Sequence, residues 1–163
     1  MIEIVKDINK ETLKKLFGIY QESMEENLQN GYYSSTNEMF ADYEVFLKDF
    51  ISKPNQLVIV ENQNNMWVSG LRAIETKARH WHIEAVETRP DSRRNGYGKT
   101  LLNQTLEYLA TLGMKTADCS IAKNNIASQI LHKKCGFVCT NKNPIYEGKP
   151  SKNTQIYLFS NEK

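Results

Sequence analysis

The chain has 163 residues, enough for one domain with a substantial core. Its 21 Lys and Arg stand against 19 Asp and Glu, so no global field draws it to nucleic acid or to an anionic membrane. No apolar run approaches the ~20 residues of a membrane span. Residues 1–7 carry acids and alternation where a signal peptide has a basic start and an apolar block. Cys119, Cys135 and Cys139 are odd in number and form no Cys-x-x-Cys pair, which points to reduced thiols in a cytoplasmic protein.

Ile2 and Ile4 alternate with charged neighbours, as in a short strand. Asn9 caps a helix whose apolar positions Leu13, Leu16, Phe17, Tyr20 and Met24 recur at helical spacing, and Gln29-Asn30-Gly31 ends it. Ser35 and Glu38 form a capping-box pattern ahead of the stripe Met39, Phe40, Tyr43, Phe46, Leu47, Phe50 and Ile51. Strands are predicted over 57–61 and 67–76, joined by a hairpin turn at Asn64-Asn65, and over 80–88, closed by Pro90. A glycine-containing loop and a helix follow, with Gly113 at the C′ position. Thr116 opens another strand, over 116–121. Asn124 or Asn125 caps a helix that ends before Gly136. Two last strands, over 137–140 and 155–160, flank a polar loop around Pro144 and Pro150.

No repeat or linker divides residues 1–163, so a single domain is expected. The order β-α-α-β-β-β-α-β-α-β-β predicts an α/β protein of the α+β type: a mixed sheet of about six to seven strands flanked by about four helices.

The stretch Arg93-Arg94-Asn95-Gly96-Tyr97-Gly98-Lys99-Thr100 joins the strand over 80–88 to the helix beyond it. Two glycines spaced one apart let the backbone turn tightly and aim several N–H groups at one spot, beside the positive end of a helix. That makes an anion site, suited to phosphate or pyrophosphate. The dinucleotide fingerprint fails because residue 101 is Leu, and the nucleotide-hydrolase loop fails because residue 93 is Arg.

A second segment, Asn125 to Phe137, pairs an Asn cap and a helix with a closing Gly136-Phe137. Together the two segments resemble the GNAT superfamily of acyl-CoA-dependent N-acyltransferases. Arg93-x-x-Gly96-x-Gly98 is similar to that family's pyrophosphate loop, and the likeness covers roughly residues 56–140. It implies a mostly antiparallel GNAT-like sheet and acetyl-CoA as cosubstrate. It further implies cofactor contacts by Arg93, Arg94, Asn95, Gly96, Tyr97, Gly98 and Lys99, by the backbone of Val86, Glu87 and Thr88, and by Asn125. A homodimer is compatible with such a fold.

For the base, Glu84 is the first candidate: an acid within an otherwise apolar strand, at a position where some family members place a catalytic glutamate. His82 is the runner-up on the same face. His132 stands where the family commonly has a tyrosine near the departing sulfur, and an imidazole near pKa ~6.5 is an easier proton donor than a phenol. Glu22, Glu25 and Glu26 are candidates for an entrance, and Tyr32, Tyr33 and Tyr146 for contact with the acceptor. His80-Trp81-His82 lacks a carboxylate or thiolate partner that would suggest zinc, so no metal is expected. The reading is an N-acetyltransferase acting on a small-molecule or peptide amine by direct attack. A non-catalytic CoA-binding regulatory module is the alternative.

Overall fold

The computed structural model describes residues 1–162. The alternating N-terminal segment forms β1 (Ile2–Ile4), followed by α1 (Lys10–Ile19), α2 (Gln21–Gln29) and α3 (Thr36–Ser52). The helix expected from Asn9 to Gly31 is therefore two helices, so the described residues hold five α-helices where about four were expected. Asn9 caps α1 as predicted, its side chain accepting from the N–H groups of Glu11 and Thr12. The break falls at Tyr20, whose φ and ψ of −96° and 17° leave the helical region. Its phenol reaches across to donate to the Ala85 carbonyl at 2.8 Å. Tyr20 obeys helical spacing, so periodicity alone gives no sign of the break.

Three strands follow: β2 (Gln56–Gln63), β3 (Met66–Lys77) and β4 (His80–Thr88). Asn64 and Asn65 both take positive φ at the β2–β3 turn, as a two-residue hairpin requires. After a 3-10 turn at Pro90–Ser92 come α4 (Tyr97–Thr111), β5 (Thr116–Ala122), α5 (Ile126–Lys134) and β6 (Val138–Cys139). The polar loop around Pro144 holds a small hairpin, β7 (Ile145–Tyr146) and β8 (Lys149–Pro150), turned by Glu147 and Gly148 at positive φ. The chain ends in β9 (Thr154–Ser160).

The main sheet has seven strands in the order β1-β2-β3-β4-β5-β9-β6. Only β4 and β5 are parallel, and all other pairs are antiparallel. One face packs on α4 and α5 through residues such as Leu71, Ile83, Leu101 and Phe137. The other packs on α1 to α3 through Leu16, Ile19, Leu47 and Val60. Leu16 is fully buried, so Leu16→Ala should cost about 2–5 kcal/mol, read from chemical denaturation. Among the described residues no helix is long and apolar enough to cross a membrane.

Two irregularities make room for a site. β4 and β5 pair only from His80–Thr116 to His82–Asp118, then part. β4 also carries a bulge: Arg72 faces Glu84 but Gly70 faces Glu87, so β4 has one residue more than β3 across that interval. Ala85 takes φ of 52° there, a conformation costly for a residue with a Cβ. The Tyr20 hydroxyl bond to its carbonyl helps to hold it.

Candidate active site

The loop before α4 leads into a helix start that no side chain caps. Asn95 folds it by donating its side-chain N–H groups to the Ser92 and Arg93 carbonyls, at 3.0 and 3.2 Å. Arg94 and Gly96 take φ of 62° and 78°. Gly96 is the N-cap, so no side chain caps the helix, and the first turn holds no acid. The orphan N–H groups of Tyr97, Gly98 and Lys99 are thus left for an outside acceptor. A Cβ on Gly98 would lie 3.3 Å from Thr88 Oγ1 and 3.5 Å from Leu131, so the bare glycine lets α4 sit close to β4 and α5. Arg93, Arg94 and Lys99 are exposed around this turn. Arg93 forms a two-point pair with Glu22 of α2, at 2.9 and 2.6 Å.

The parting of β4 from β5 opens a cleft of about 590 Å³ beside this loop. Val86, Glu87 and Thr88 line one wall; Cys119 to Ala122 line the other; Asn125 and His132 close the α5 side. Asn125 also caps α5, accepting from the Ser128 N–H at 3.1 Å. A pyrophosphate on the uncapped helix end would leave an extended arm free to run along the unpaired edge of β4. The residues present therefore fit acetyl-CoA.

Glu84 lines the cleft, but a guanidinium meets its carboxylate: Arg72 Nε donates at 2.8 Å. The surroundings are thus not the apolar ones expected of a desolvated base. Glu87 is different. Burial pushes its carboxyl above the ordinary 4.5, against the opposing hydrogen bond from the Ser23 hydroxyl. It lines the cleft and also a smaller pocket of about 220 Å³ between α2, α3 and the sheet. Ser23, Ala85 and Glu87 are common to the two spaces.

His132 is 2% exposed, edge-on to Phe137 at 5.2 Å. Burial lowers its pKa below 6.5, against the bond to the Ser128 carbonyl. Nδ1 donates to that carbonyl at 2.8 Å, so the neutral ring presents Nε2 as an acceptor without a partner among the described residues. Burial pushes the Cys119 thiol well above its ordinary range, which leaves it unreactive.

His82 lies outside the cleft lining. Its Nδ1 meets Asp118 Oδ1 at 2.7 Å, while His80 Nε2 lies 3.2 Å from Oδ2, just where β4 and β5 are still paired. The Asp118 hydrogen bond raises the His82 pKa despite burial. A raised histidine contributes stability fully present below its unfolded value of ~6.5 and lost as pH rises through the folded value. Thermal midpoints should therefore fall with rising pH above ~6.5, and Asp118→Asn should flatten that dependence. Among the described residues no group of three or more His, Cys, Asp and Glu is arranged to hold a metal.

Of the other candidates, Glu22 and Glu26 line the cleft and Tyr33 the smaller pocket. Glu25 instead accepts from Gln21, and Tyr32 and Tyr146 are exposed and line neither space. The sequence reading did not single out Ser23, Tyr43, Arg72 or Asp118. Tyr20 and Tyr43 read as core at apolar helical positions. Arg72 alone, a charge within an apolar strand, carried a signal that could have been followed.

The model of the acetyltransferase (GNAT) family matches residues 14–137. No curated protein matches the chain by sequence. Among solved structures it resembles a putative streptothricin acetyltransferase from Bacillus anthracis in complex with acetyl coenzyme A. That match has a TM-score of 0.61 and 22% identity, over 71% of this chain and 68% of that one. It also resembles PaiA N-acetyltransferase from Thermoplasma acidophilum in complex with coenzyme A, with a TM-score of 0.71 and 16% identity over 98% and 99% of the chains. A spermidine N-acetyltransferase chimera from Vibrio cholerae and hSSAT gives a TM-score of 0.72 at 18% identity, over 98% and 94%. At such identities the solved structures speak for the fold, whereas the family match spans most of the sequence: the chain belongs to the GNAT acetyltransferases and is an N-acetyltransferase enzyme.

Proposed function

We propose that the enzyme moves an acetyl group from acetyl-CoA to a primary amine by direct attack, with Glu87 as the general base. The observation that carries this reading is the position of Glu87: a half-buried carboxylate where the cleft and the smaller pocket meet, its pKa raised by burial. A raised carboxyl is better matched to an ammonium than an ordinary one near neutral pH. Solved neighbours named for acetylation of streptothricin and of spermidine support an amine acceptor.

In this scheme the uncapped turn of α4 and the loop before it hold the pyrophosphate, and the edge of β4 from Val86 to Thr88 guides the pantetheine arm. Glu87 takes one proton from the ammonium. The freed nitrogen lone pair forms the C–N bond at the thioester carbonyl, and backbone N–H groups at the Ala85–Val86 bulge stabilise the oxyanion. Collapse breaks the C–S bond; nitrogen loses its second proton to water and the thiolate takes one from water. Glu84, held by Arg72, keeps the bulge in place. The general-acid role expected of His132 needs an imidazolium, which burial opposes. In our reading Nε2 accepts a hydrogen bond from the CoA thiol or an arm amide. The inert Cys119 favours direct transfer over an acyl-enzyme. Three free cysteines fit a reducing compartment such as the cytoplasm.

Release of free thiol from acetyl-CoA, followed across a panel of amines, tests the proposal. Amine-dependent release is expected. Tight acetyl-CoA binding with no release for any amine would replace it by the regulatory-module reading.

A further inference from the structure

The smaller pocket has a composition that narrows the acceptor beyond the amine proposed above, and this step rests on that proposal. Its volume of about 220 Å³ lies below the ~300–1,000 Å³ of pockets for drug-sized ligands. Tyr20, Tyr33 and Tyr43 line it together with Met24 and Met39. Burial pushes Tyr43 up to about 12 and Tyr20 well above its ordinary value, so both rings are neutral walls.

Two charged side chains line the pocket, Arg72 and Glu87. Arg72 is already engaged. Its Nε binds Glu84, and its guanidinium carbon lies 5.1 and 5.8 Å from the ring centres of Phe46 and Phe50. Among the described residues the Glu87 carboxylate takes a hydrogen bond from the Ser23 hydroxyl alone, and the nearby Arg93 is turned to Glu22. One uncommitted carboxylate among neutral aromatic rings suits one ammonium, held by charge and by the faces of the rings. A second ammonium inside the pocket would face a guanidinium and no carboxylate of its own. An acceptor carboxylate would meet Glu87 as a like charge, beside a guanidinium whose charge Glu84 already balances.

We infer that this pocket is the acceptor subsite and that it takes a compact monoamine with an apolar body, its ammonium on Glu87, in preference to polyamines, aminoglycosides and amino acids. Tyr33 sets the outer limit of the subsite. It sits in the turn between α2 and α3, its hydroxyl donating to Asp42 at 2.8 Å.

The experiment is thiol release with butylamine, benzylamine, spermidine, kanamycin and glycine, on wild type, Tyr33→Phe and Tyr33→Ala, with acetyl-CoA binding measured separately by calorimetry. The expected kcat/KM for butylamine or benzylamine exceeds that for spermidine, kanamycin and glycine by about tenfold or more. Tyr33→Phe should keep the ranking, whereas Tyr33→Ala should open the pocket and move the preference toward bulkier monoamines. Spermidine, kanamycin or glycine as the best acceptor, or a ranking unmoved in a folded Tyr33→Ala, would overturn the assignment while leaving the acetyltransferase intact. Absence of acetyl-CoA binding in wild type would overturn both readings.

Discussion

Replacing Glu87 by Gln should lower kcat/KM by about 10²–10⁴-fold, the usual contribution of a positioned general base. Acetyl-CoA binding should survive, because the amide keeps the shape of the side chain and the cofactor wall there is backbone. The pH profile separates a base from a merely structural role. Glu87 must be ionised to accept a proton, so wild-type kcat/KM should rise with pH through a value above the ordinary 4.5. The rise belongs to the raised carboxyl, and Glu87→Gln should erase it. Glu84→Gln should instead disturb stability and acceptor KM, since it releases the Arg72 guanidinium into the neighbouring pocket. A Glu87→Gln enzyme with wild-type kcat/KM and an unchanged profile would sink the assignment.

Gly98→Asp should abolish useful acetyl-CoA binding. The substitution sets a carboxylate in the first turn of α4, where the pyrophosphate would rest on orphan N–H groups. Two like charges about 4 Å apart repel by about 4 kcal/mol at the effective dielectric of a protein surface. That corresponds to about 10³-fold in affinity, and Lys99 and the loop arginines reduce it toward about 10²-fold. Calorimetry on the folded variant reads the loss directly. Gly98→Ala is the control for bulk: its methyl approaches Thr88 Oγ1 at 3.3 Å but adds no charge, so its effect should be far smaller. Equal losses in the two variants would mean that space, not charge, governs this turn.

The proposed cofactor side of the site was far more legible in the sequence than the proposed acceptor side, for a physical reason. A phosphate loop is made by backbone geometry within a few consecutive residues, so Gly96, Gly98 and their basic neighbours record it locally. Helix caps are local too, and Asn9, Ser35 and Asn125 all cap helices. The pocket around Glu87 is made by residues from Tyr20 to Glu87, far apart in the sequence, most of whose types suit a core equally well. Tyr20 and Tyr43 obey helical periodicity and so read as packing. Glu84 stood out because it interrupts an apolar strand. The bulge at Ala85 then shifts the alternation by one residue, and no residue type there announces it. Past that point, strand parity no longer predicts which side chains share a face, and the resemblance had implied only a backbone contact for Glu87. The split at Tyr20 likewise has no breaker residue in the sequence; it becomes visible only beside the carbonyl that its phenol reaches.

The brief contact between β4 and β5 has a mechanical side. Strands β1 to β4 come from the first 88 residues and β5, β9 and β6 from residues 116–160, so the sheet is two contiguous panels sewn together at three residue pairs. α4 packs on β1 to β4 of the first panel and on α5, the helix that follows β5. A ligand lying between the panels would replace stitches that the strands lack, so the cosubstrate would act as a splint as well as a reactant.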